Sequence, residues 1–421
     1  MKTFRGQKFR LYPNKKVEAR LLEWERSLKY VWNVGLQQRF QRLDRFGAGM
    51  NLDDPYCVSQ GMYLQQQNQL PEARAEIDWL GDCPSTACQG VLRDLQTAWG
   101  HWIKKSQVTT ARPRFKGRRV SVGMHLVVAT KKLRLRKNAV KLPKIGWVKA
   151  VIHRDVDGTP KKLSVSREGG EWYVCIMYEM EFADPKHDKK RAVGVDRGVK
   201  VTLADSEGQM HRLPKRIKHL EKRVEKLQAR YSQRVKFSNN WKKGKAHIRK
   251  IQKKIVRIRH HWLHLQSLNY AKAGGTVVVE DLKVKNMTKS AKGNAEEPGK
   301  NVKAKAGLNR SVLRQGWSTF LQMLSYKGEQ YGTKVVQVPA AYTSQTCSQC
   351  GHRDKENRPS QSQFVCTSCG HEENADLNAS KVILQRHLEG KSVPIGGFEE
   401  KKKPKKQMNV LKRKKKAQAA A

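Results

Sequence analysis

Two Cys-x-x-Cys pairs, Cys347/Cys350 and Cys366/Cys369, stand fifteen residues apart, and each is followed by a glycine. Such a pair turns sharply enough to aim both sulfurs at one point, so the spacing predicts one tetrahedral Zn²⁺ held by four thiolates. A closed four-thiolate site has no open coordination position. It is expected to do no chemistry and to staple its surroundings together. Seven residues past Cys369, still inside the stretch Tyr342–Leu384, stands Asp376 in the segment NADLNAS. Two more carboxylates lie far upstream: Asp196 in GVDRG and Glu280 in VVVEDL. A carboxylate within or at the end of an apolar strand is costly unless it is hydrogen-bonded or binds a cation. Converged at one sheet edge, the three acids would hold two Mg²⁺ for phosphodiester hydrolysis, one ion activating water and the other stabilising the leaving oxygen. Gly198 lets the first strand turn sharply and leaves space beside a scissile phosphate. Taken alone, each acid is more commonly a capping or salt-bridged group than a metal ligand, which is how Asp205 and Asp281 beside them are read. The joint pattern carries the metal reading.

The elements that must position these residues sit in a strongly basic chain. It has 421 residues, enough for two to three domains, with 86 Lys+Arg against 37 Asp+Glu and a net charge of +49. That excess implies a long polyanion as partner, nucleic acid ahead of a ribosomal-type assembly or a membrane surface. No apolar run approaches the length of a membrane-spanning helix. The start MKTFRGQKFRLYPN lacks the apolar core of a signal peptide, so a cytoplasmic location is expected. Cys57, Cys83, Cys88 and Cys175 are scattered and read as reduced, structural thiols.

Residues 3–12 alternate basic and apolar side chains, as a half-exposed strand does, and Pro13-Asn14 ends the run. A helix follows with Val17, Leu21, Leu28, Val31 and Leu36 on one face. Ser85 is expected to cap a helix whose stripe Val91, Leu95, Trp99 and Trp102 reads as core or, alternatively, as a base-stacking platform. The cluster ARPRFKGRR offers Arg112, Arg114, Lys116, Arg118 and Arg119 to phosphates while Phe115 packs or stacks; a solvated basic loop is the competing reading. Six short β-patterned runs between 124 and 182 predict a small barrel or sandwich that the N-terminal strand could complete, with a boundary near Asp184-Pro185.

Beyond it, AVGVDRGVKVTLAD reads as strand, turn and strand. The stripes Leu213, Ile217, Leu220, Val224, Leu227, Tyr231 and Ile248, Ile251, Ile255, Ile258, Trp262, Leu265 predict an antiparallel helical hairpin joined by SNNWKKGK, with basic outer faces. TVVVEDL is a buried strand, 286–308 a mobile loop, Ser311–Tyr331 one helix and TKVVQVPA the last strand before the cysteines. After Gly390 the composition predicts a disordered basic tail.

GVDRGVKVTLADSEG, VVVEDL and the cysteine stretch through NADLNASKVIL resemble the three split RuvC nuclease motifs and the zinc insertion of the TnpB family. These are transposon-encoded RNA-guided DNA nucleases, relatives of compact type V CRISPR effectors. The likeness extends to KFRLYPN, ARPRFKGRR and LNRSVLRQGWSTFLQMLSYK and so covers most of the chain. The zinc-plus-NADLNA combination is its most specific part.

The resemblance implies a multidomain α/β fold. An RNase H-like RuvC nuclease domain would occupy 190–340 and 372–389, with a four-cysteine zinc-ribbon module for target nucleic acid at 341–371. A β-barrel wedge domain would take 1–13 and 118–185, a helical recognition domain 14–117 and a basic disordered tail 390–421. It further implies Asp196, Glu280 and Asp376 as catalytic ligands of two Mg²⁺, one structural Zn²⁺, a guide RNA made from the transposon end and a double-stranded DNA target. The guide–target heteroduplex would be read by shape and a short adjacent motif by the recognition domain, with Gln89 as a candidate base reader. The setting implied is the prokaryotic cytoplasm, with nucleoid association on DNA. All three acids are present, which argues against nuclease-dead relatives that act as repressors.

Three competing readings stay open, as does the oligomeric state. A compact CRISPR effector would differ in the source of its guide. A non-catalytic zinc-ribbon binder predicts that Asp196→Ala changes nothing, and a strand-transfer transposase predicts joined DNA.

Overall fold

A computed structural model describes residues 2–46, 61–103, 112–117, 120–126, 135–153, 158–181, 185, 187–188, 190–293 and 299–395. The chain divides into two units, Met1–Ala183 and Asp184–Ala421.

The first unit opens with β1 (Lys2–Tyr12), then α1 (Lys15–Phe46), whose first turn is capped by Asn14 Oδ1 accepting from Val17 N at 2.8 Å. Three helices follow, α2 (Gly61–Glu76), α3 (Asp78–Gly81) and α4 (Ser85–Ile103). The strands are β2 (Met124–Leu126), β3 (Leu135–Arg136), β4 (Ala139–Leu142), β5 (Gly146–Val151), β6 (Thr159–Glu168) and β7 (Glu171–Glu181). They form a seven-stranded sheet in the order β2-β6-β7-β1-β5-β4-β3, with antiparallel pairs throughout. The N-terminal strand does complete it, lying between β7 and β5 with Phe9 opposite Val174 and Leu11 opposite Ala150.

Trp24, Leu28 and Leu36 from α1, Val91, Leu95 and Trp99 from α4, and Phe9, Trp172 and Ile176 from the sheet share one buried cluster. Trp99 is fully buried and Trp102 half-buried against the same cluster, so the stripe packs as core. Ser85 is the first helical residue and not the cap; Pro84 O accepts from Cys88 N instead. Much of MHLVVAT and KLRLR lies outside the described residues, as does Cys57.

The second unit begins with β8 (Ala192–Asp196), β9 (Leu203–Asp205) and β10 (Met210–His211). Two long helices, α5 (Lys215–Ser232) and α6 (Asn239–Lys272), precede β11 (Thr276–Glu280). After them come α7 (Val284–Met287), α8 (Val302–Gln315), α9 (Trp317–Tyr331) and β12 (Lys334–Val338). The chain closes with β13 (Gln363–Val365), β14 (Glu372–Asn374), α10 (Ala375–Leu388) and β15 (Val393–Pro394). Its sheet runs β10-β9-β8-β11-β12-β15, with β8, β11 and β12 parallel and the outer strands antiparallel. β11 is buried along its whole length, which is why it reads as a continuous apolar run. Helices α6 and α9 cover one part of the sheet through Leu263, Tyr270, Phe320 and Leu324, and α10 packs on β8.

Four expectations change. The helix expected from Ser311 to Tyr331 is two helices, broken where Gly316 takes the left-handed conformation at φ +76°, and α8 reaches back into the stretch read as a mobile loop. The hairpin pairs α5 with α6 through Ile217, Val224, Ile248, Ile251 and Ile255, but its turn is 233–238 and SNNWKKGK is largely the start of α6. Leu265 is exposed; Leu263 enters the core instead, because α6 leaves α5 and crosses the sheet over its second half. The stretch after Gly390 starts with an edge strand: β15 pairs with β12, and Ile395 N donates to Val335 O at 3.1 Å. The residues beyond 395 lie outside the described residues.

Candidate active site and metal centres

β8 and β11 are adjacent parallel strands in register Val195 to Val279, so the next residues, Asp196 and Glu280, emerge side by side at the carboxyl ends of the strands. That edge of an open α/β sheet is where ligands bind, since no backbone covers it. Asp376 arrives from the opposite direction on the first turn of α10, whose cap Asn374 accepts from Asp376 N through Oδ1 at 3.0 Å. Its approach depends on Gly194: a Cβ there would stand 2.1 Å from Ser380 O and 2.8 Å from Leu384 N. Only a bare backbone lets α10 lie this close to β8.

The three acids line one cavity of about 280 Å³ together with Lys200, Thr343 and Arg358. Glu280 is buried at 7% exposure, and the Thr343 hydroxyl donates to its Oε1. The Arg197 guanidinium, 4% exposed, donates through Nη2 to the Glu280 carbonyl. Arg358, from the segment between the cysteine pairs, brings Nη2 to 3.7 Å from Asp376 Oδ1 and donates to Gln361 O at 2.8 Å.

Burial, then the charges of Glu280 and Asp376, push the Asp196 carboxyl up to about 8. Burial also raises Glu280 and Asp376, while Thr343 and Arg197 oppose the rise at the first and Arg358 and Lys200 at the second. The charges of Glu280 and Asp376 oppose ionisation of Asp196, and a divalent cation would relieve that repulsion. The donor set is all oxygen and suits Mg²⁺.

Asp205 and Asp281 do not line the cavity. Asp205 accepts from Glu207 N, Gln209 N and the Tyr270 hydroxyl, and Asp281 pairs with Lys283.

The four cysteine sulfurs lie within 4.8 Å of one another, with Cys347–Cys369 at 3.7 Å and Cys350–Cys366 at 3.6 Å. A tetrahedron with ~2.3 Å metal–sulfur bonds has edges of about 3.8 Å, so the cluster fits one Zn²⁺. Each pair forms the same turn. Gly351 N donates to Cys347 O and Gly370 N to Cys366 O, both at 3.0 Å, with the glycines at φ +75° and +69°. Buried Asn357 ties the two turns together, donating to Gln345 O at 2.9 Å and accepting from Thr367 N at 2.9 Å. Buried Asn378 on α10 accepts from Ser348 N at 2.9 Å and donates to Thr346 O at 2.8 Å. The cysteine cluster is thereby fastened to the helix that carries Asp376. β14 also runs to Asn374, so the hairpin continues straight into α10.

Thr343, Arg197, Arg358, Asn357 and Asn378 escaped the sequence reading. Thr343 and Arg358 flank or separate the cysteines, and Arg197 follows Asp196, so proximity to the motifs was the signal available.

The remaining candidates lie in the first unit. Gln89 is exposed on α4. Residues 112–117 lie along α1: Trp32 Nε1 donates to Arg114 O at 3.0 Å, and Lys116 N donates to Asn33 Oδ1 at 2.7 Å. Arg112 stacks 3.9 Å over the Phe40 ring and Lys116 4.2 Å over Trp32, while Phe115 is 54% exposed. Arg118 and Arg119 lie outside the described residues.

Three family models match: a Cas12f1-like TNB domain at 317–383, a probable transposase at 175–291 and a helix-turn-helix domain at 1–47. The last span is a strand followed by one uninterrupted helix in this chain. The putative RNA-guided DNA endonuclease InsQ of Escherichia coli is 37% identical over 384 residues, 91% of this chain and 92% of that protein. A putative RNA-guided DNA endonuclease of Streptomyces pristinaespiralis is 26% identical over 91% of this chain and 89% of its own length. Among solved structures, that of a Cas12f1–sgRNA–target DNA complex aligns with TM-score 0.57 at 13% identity, covering 88% of this chain and 83% of that one. It supports the same α/β architecture. No helix among the described residues is long and apolar enough to cross a membrane. The likeness to InsQ runs through both units and past both residue clusters, and on it the chain belongs to the TnpB family.

Proposed function

We propose that this chain is an RNA-guided, Mg²⁺-dependent endonuclease of double-stranded DNA, guided by a transposon-derived RNA. The observation that carries the reading is the meeting of Asp196, Glu280 and Asp376, from two strand ends and a helix start, in one small cavity. The names of the relatives over nine-tenths of the chain supply the substrate class. We assign the second unit to an RNase H-like RuvC domain with a zinc-ribbon insertion, and the first to a wedge sheet with a helical recognition part.

In this reading the three carboxylates hold two Mg²⁺, which when bound supply charge for an attacking water and for a leaving phosphodiester oxygen. The chain's own residues do the rest. The Thr343 hydroxyl and Arg197 fix the side chain and the backbone of Glu280, so that its oxygens face the cavity before any ion arrives. Lys200 and Arg358 line the same cavity and place positive charge where a phosphate would enter. The four cysteines hold Zn²⁺, whose place is structural: through Asn378 it sets α10, and with it Asp376.

A compact CRISPR effector on this scaffold is the second reading. The Cas12f1 endonuclease of Sulfoacidibacillus thermotolerans is 28% identical, yet over 51% of the chain alone, so the transposon-linked reading is favoured. The test is to purify the protein from its host, sequence the co-purifying RNA and supply matching duplex DNA with Mg²⁺. Cleavage lost in Asp196→Ala and Glu280→Ala is the expected result. No bound RNA, or cleavage untouched by both substitutions, overturns the proposal.

A further inference from the structure

The tip of the α5/α6 hairpin carries groups that phosphodiester cleavage does not use. From Lys226 to Val279 the chain contains no Asp or Glu, while Lys and Arg recur along both helices. At the turn, Val235 is 79% and Phe237 62% exposed, and Phe237 sits at φ +70°, where a bulky side chain is strained. Its ring lies 5.4 Å from that of Trp241. Trp241 is fixed in the first turn of α6, its N–H donating to the cap Ser238 Oγ at 3.2 Å. Lys245 stands 5.1 Å from the Trp241 ring and Arg234 5.1 Å from that of Tyr231.

Tyr231 lies flat on Gly244, where a Cβ would come within 2.3 Å of its ring, so the tip is braced. An exposed Phe237 ring in a strained turn, the half-buried Trp241 ring beside it and the neighbouring Arg234 and Lys245 match the two needs of an unpaired nucleotide. A base stacks on a ring, and its phosphate pairs with Lys or Arg.

We propose that this tip is a stacking platform for unpaired bases of the RNA that the protein carries, an inference that rests on the RNA-guided reading above. Duplex DNA hides its base faces, whereas folded RNA presents splayed bases in loops and single-stranded ends. An anionic bilayer would touch the tip alone. The acid-free charge continues along α6, 34 residues or about 50 Å, and so follows a polyanion backbone.

The test uses the purified ribonucleoprotein. Ultraviolet crosslinking with peptide mass spectrometry is expected to place RNA adducts on the peptide holding Phe237 and Trp241. The Phe237→Ala/Trp241→Ala variant should bind that RNA about tenfold more weakly. It should also expose the crosslinked nucleotides to chemical probing at an unchanged melting temperature. Co-purified RNA with no adduct at the tip and wild-type affinity in the variant overturns the platform, as do adducts to target DNA strands instead of RNA. Binding of the RNA-free chain to phosphatidylserine vesicles, lost in the variant, would make the tip a membrane contact and likewise overturn it. Absence of any bound RNA overturns the RNA-guided reading itself, so the two failures are distinguishable. Crosslinking on the unmodified protein keeps the test decisive should the variant fold poorly.

Discussion

At the scale of single residues, the candidate site is a set of buried acids whose charge a proton or a cation must offset. The Asp196 carboxyl is raised to about 8 because burial and two neighbouring acids oppose its charge. A raised folded-state value means that the metal-free protein is favoured by the protonated form: that contribution is complete below the usual carboxylate range and is lost as pH climbs through about 8. Asp196→Asn should therefore raise the melting temperature of the metal-free protein at pH 8 by several degrees and flatten its fall with pH, while abolishing cleavage. Mg²⁺ should raise the melting temperature of the wild type more than that of the variant, which calorimetry in a Mg²⁺ series reads directly. Thr343→Val removes the hydroxyl that donates to Glu280 without changing volume much. Cleavage is expected to need about 10–100-fold more Mg²⁺, the usual size for losing a partner of a ligand; an unchanged Mg²⁺ titration would contradict the orienting role.

At the scale of elements, α10 is the part whose placement decides the site, and two of its contacts can be tested separately. The first is the bare backbone of Gly194 beneath Ser380 O. Gly194→Ala should cost about 1–3 kcal/mol, the range for overpacking. It should also lower cleavage by more than the loss of folded protein explains, because α10 must move and Asp376 with it. Denaturant melts beside single-turnover cleavage separate the two effects. The second contact is Asn378, which joins α10 to the first cysteine turn. Removing zinc with a chelator, or Cys366→Ser, should loosen that turn and lower cleavage; full activity in the zinc-free protein would contradict the stapling role. Hydrogen exchange should rise at 343–376 and stay low in β8 and β11, whose pairing and burial are independent of the cysteines.

Charge governs at the scale of the whole molecule. With +49 net, binding to RNA must release many counterions, so affinity should fall steeply with salt, about a thousandfold or more between ~50 and ~200 mM. Filter binding across a salt series checks this, and a shallow slope would mean that the cations are not in contact with phosphate. The same charge repels itself in the free protein. Bound RNA should consequently raise the melting temperature far more than Mg²⁺ does.

Local pattern determined much of this protein by itself. The cysteine spacing fixed a four-sulfur cluster, since each turn closes within five residues. The period of the apolar residues fixed the α5/α6 pair, and the uninterrupted apolar run fixed β11 as a buried strand. The three acids were recognisable because charge at the end of an apolar strand or beside a metal motif is unusual. What the sequence left undecided is what depends on contacts between distant segments. The break at Gly316, the return of Val393–Pro394 to the sheet edge and the switch from Leu265 to Leu263 depend on neighbours far along the chain. So do the roles of Thr343, Arg197 and Asn378, ordinary polar residues until folding buries them and sets their hydrogen bonds to Glu280 and to the first cysteine turn. Period and spacing are written within a turn or two of backbone; burial is not, and tertiary packing alone turned three separated acids into one cavity.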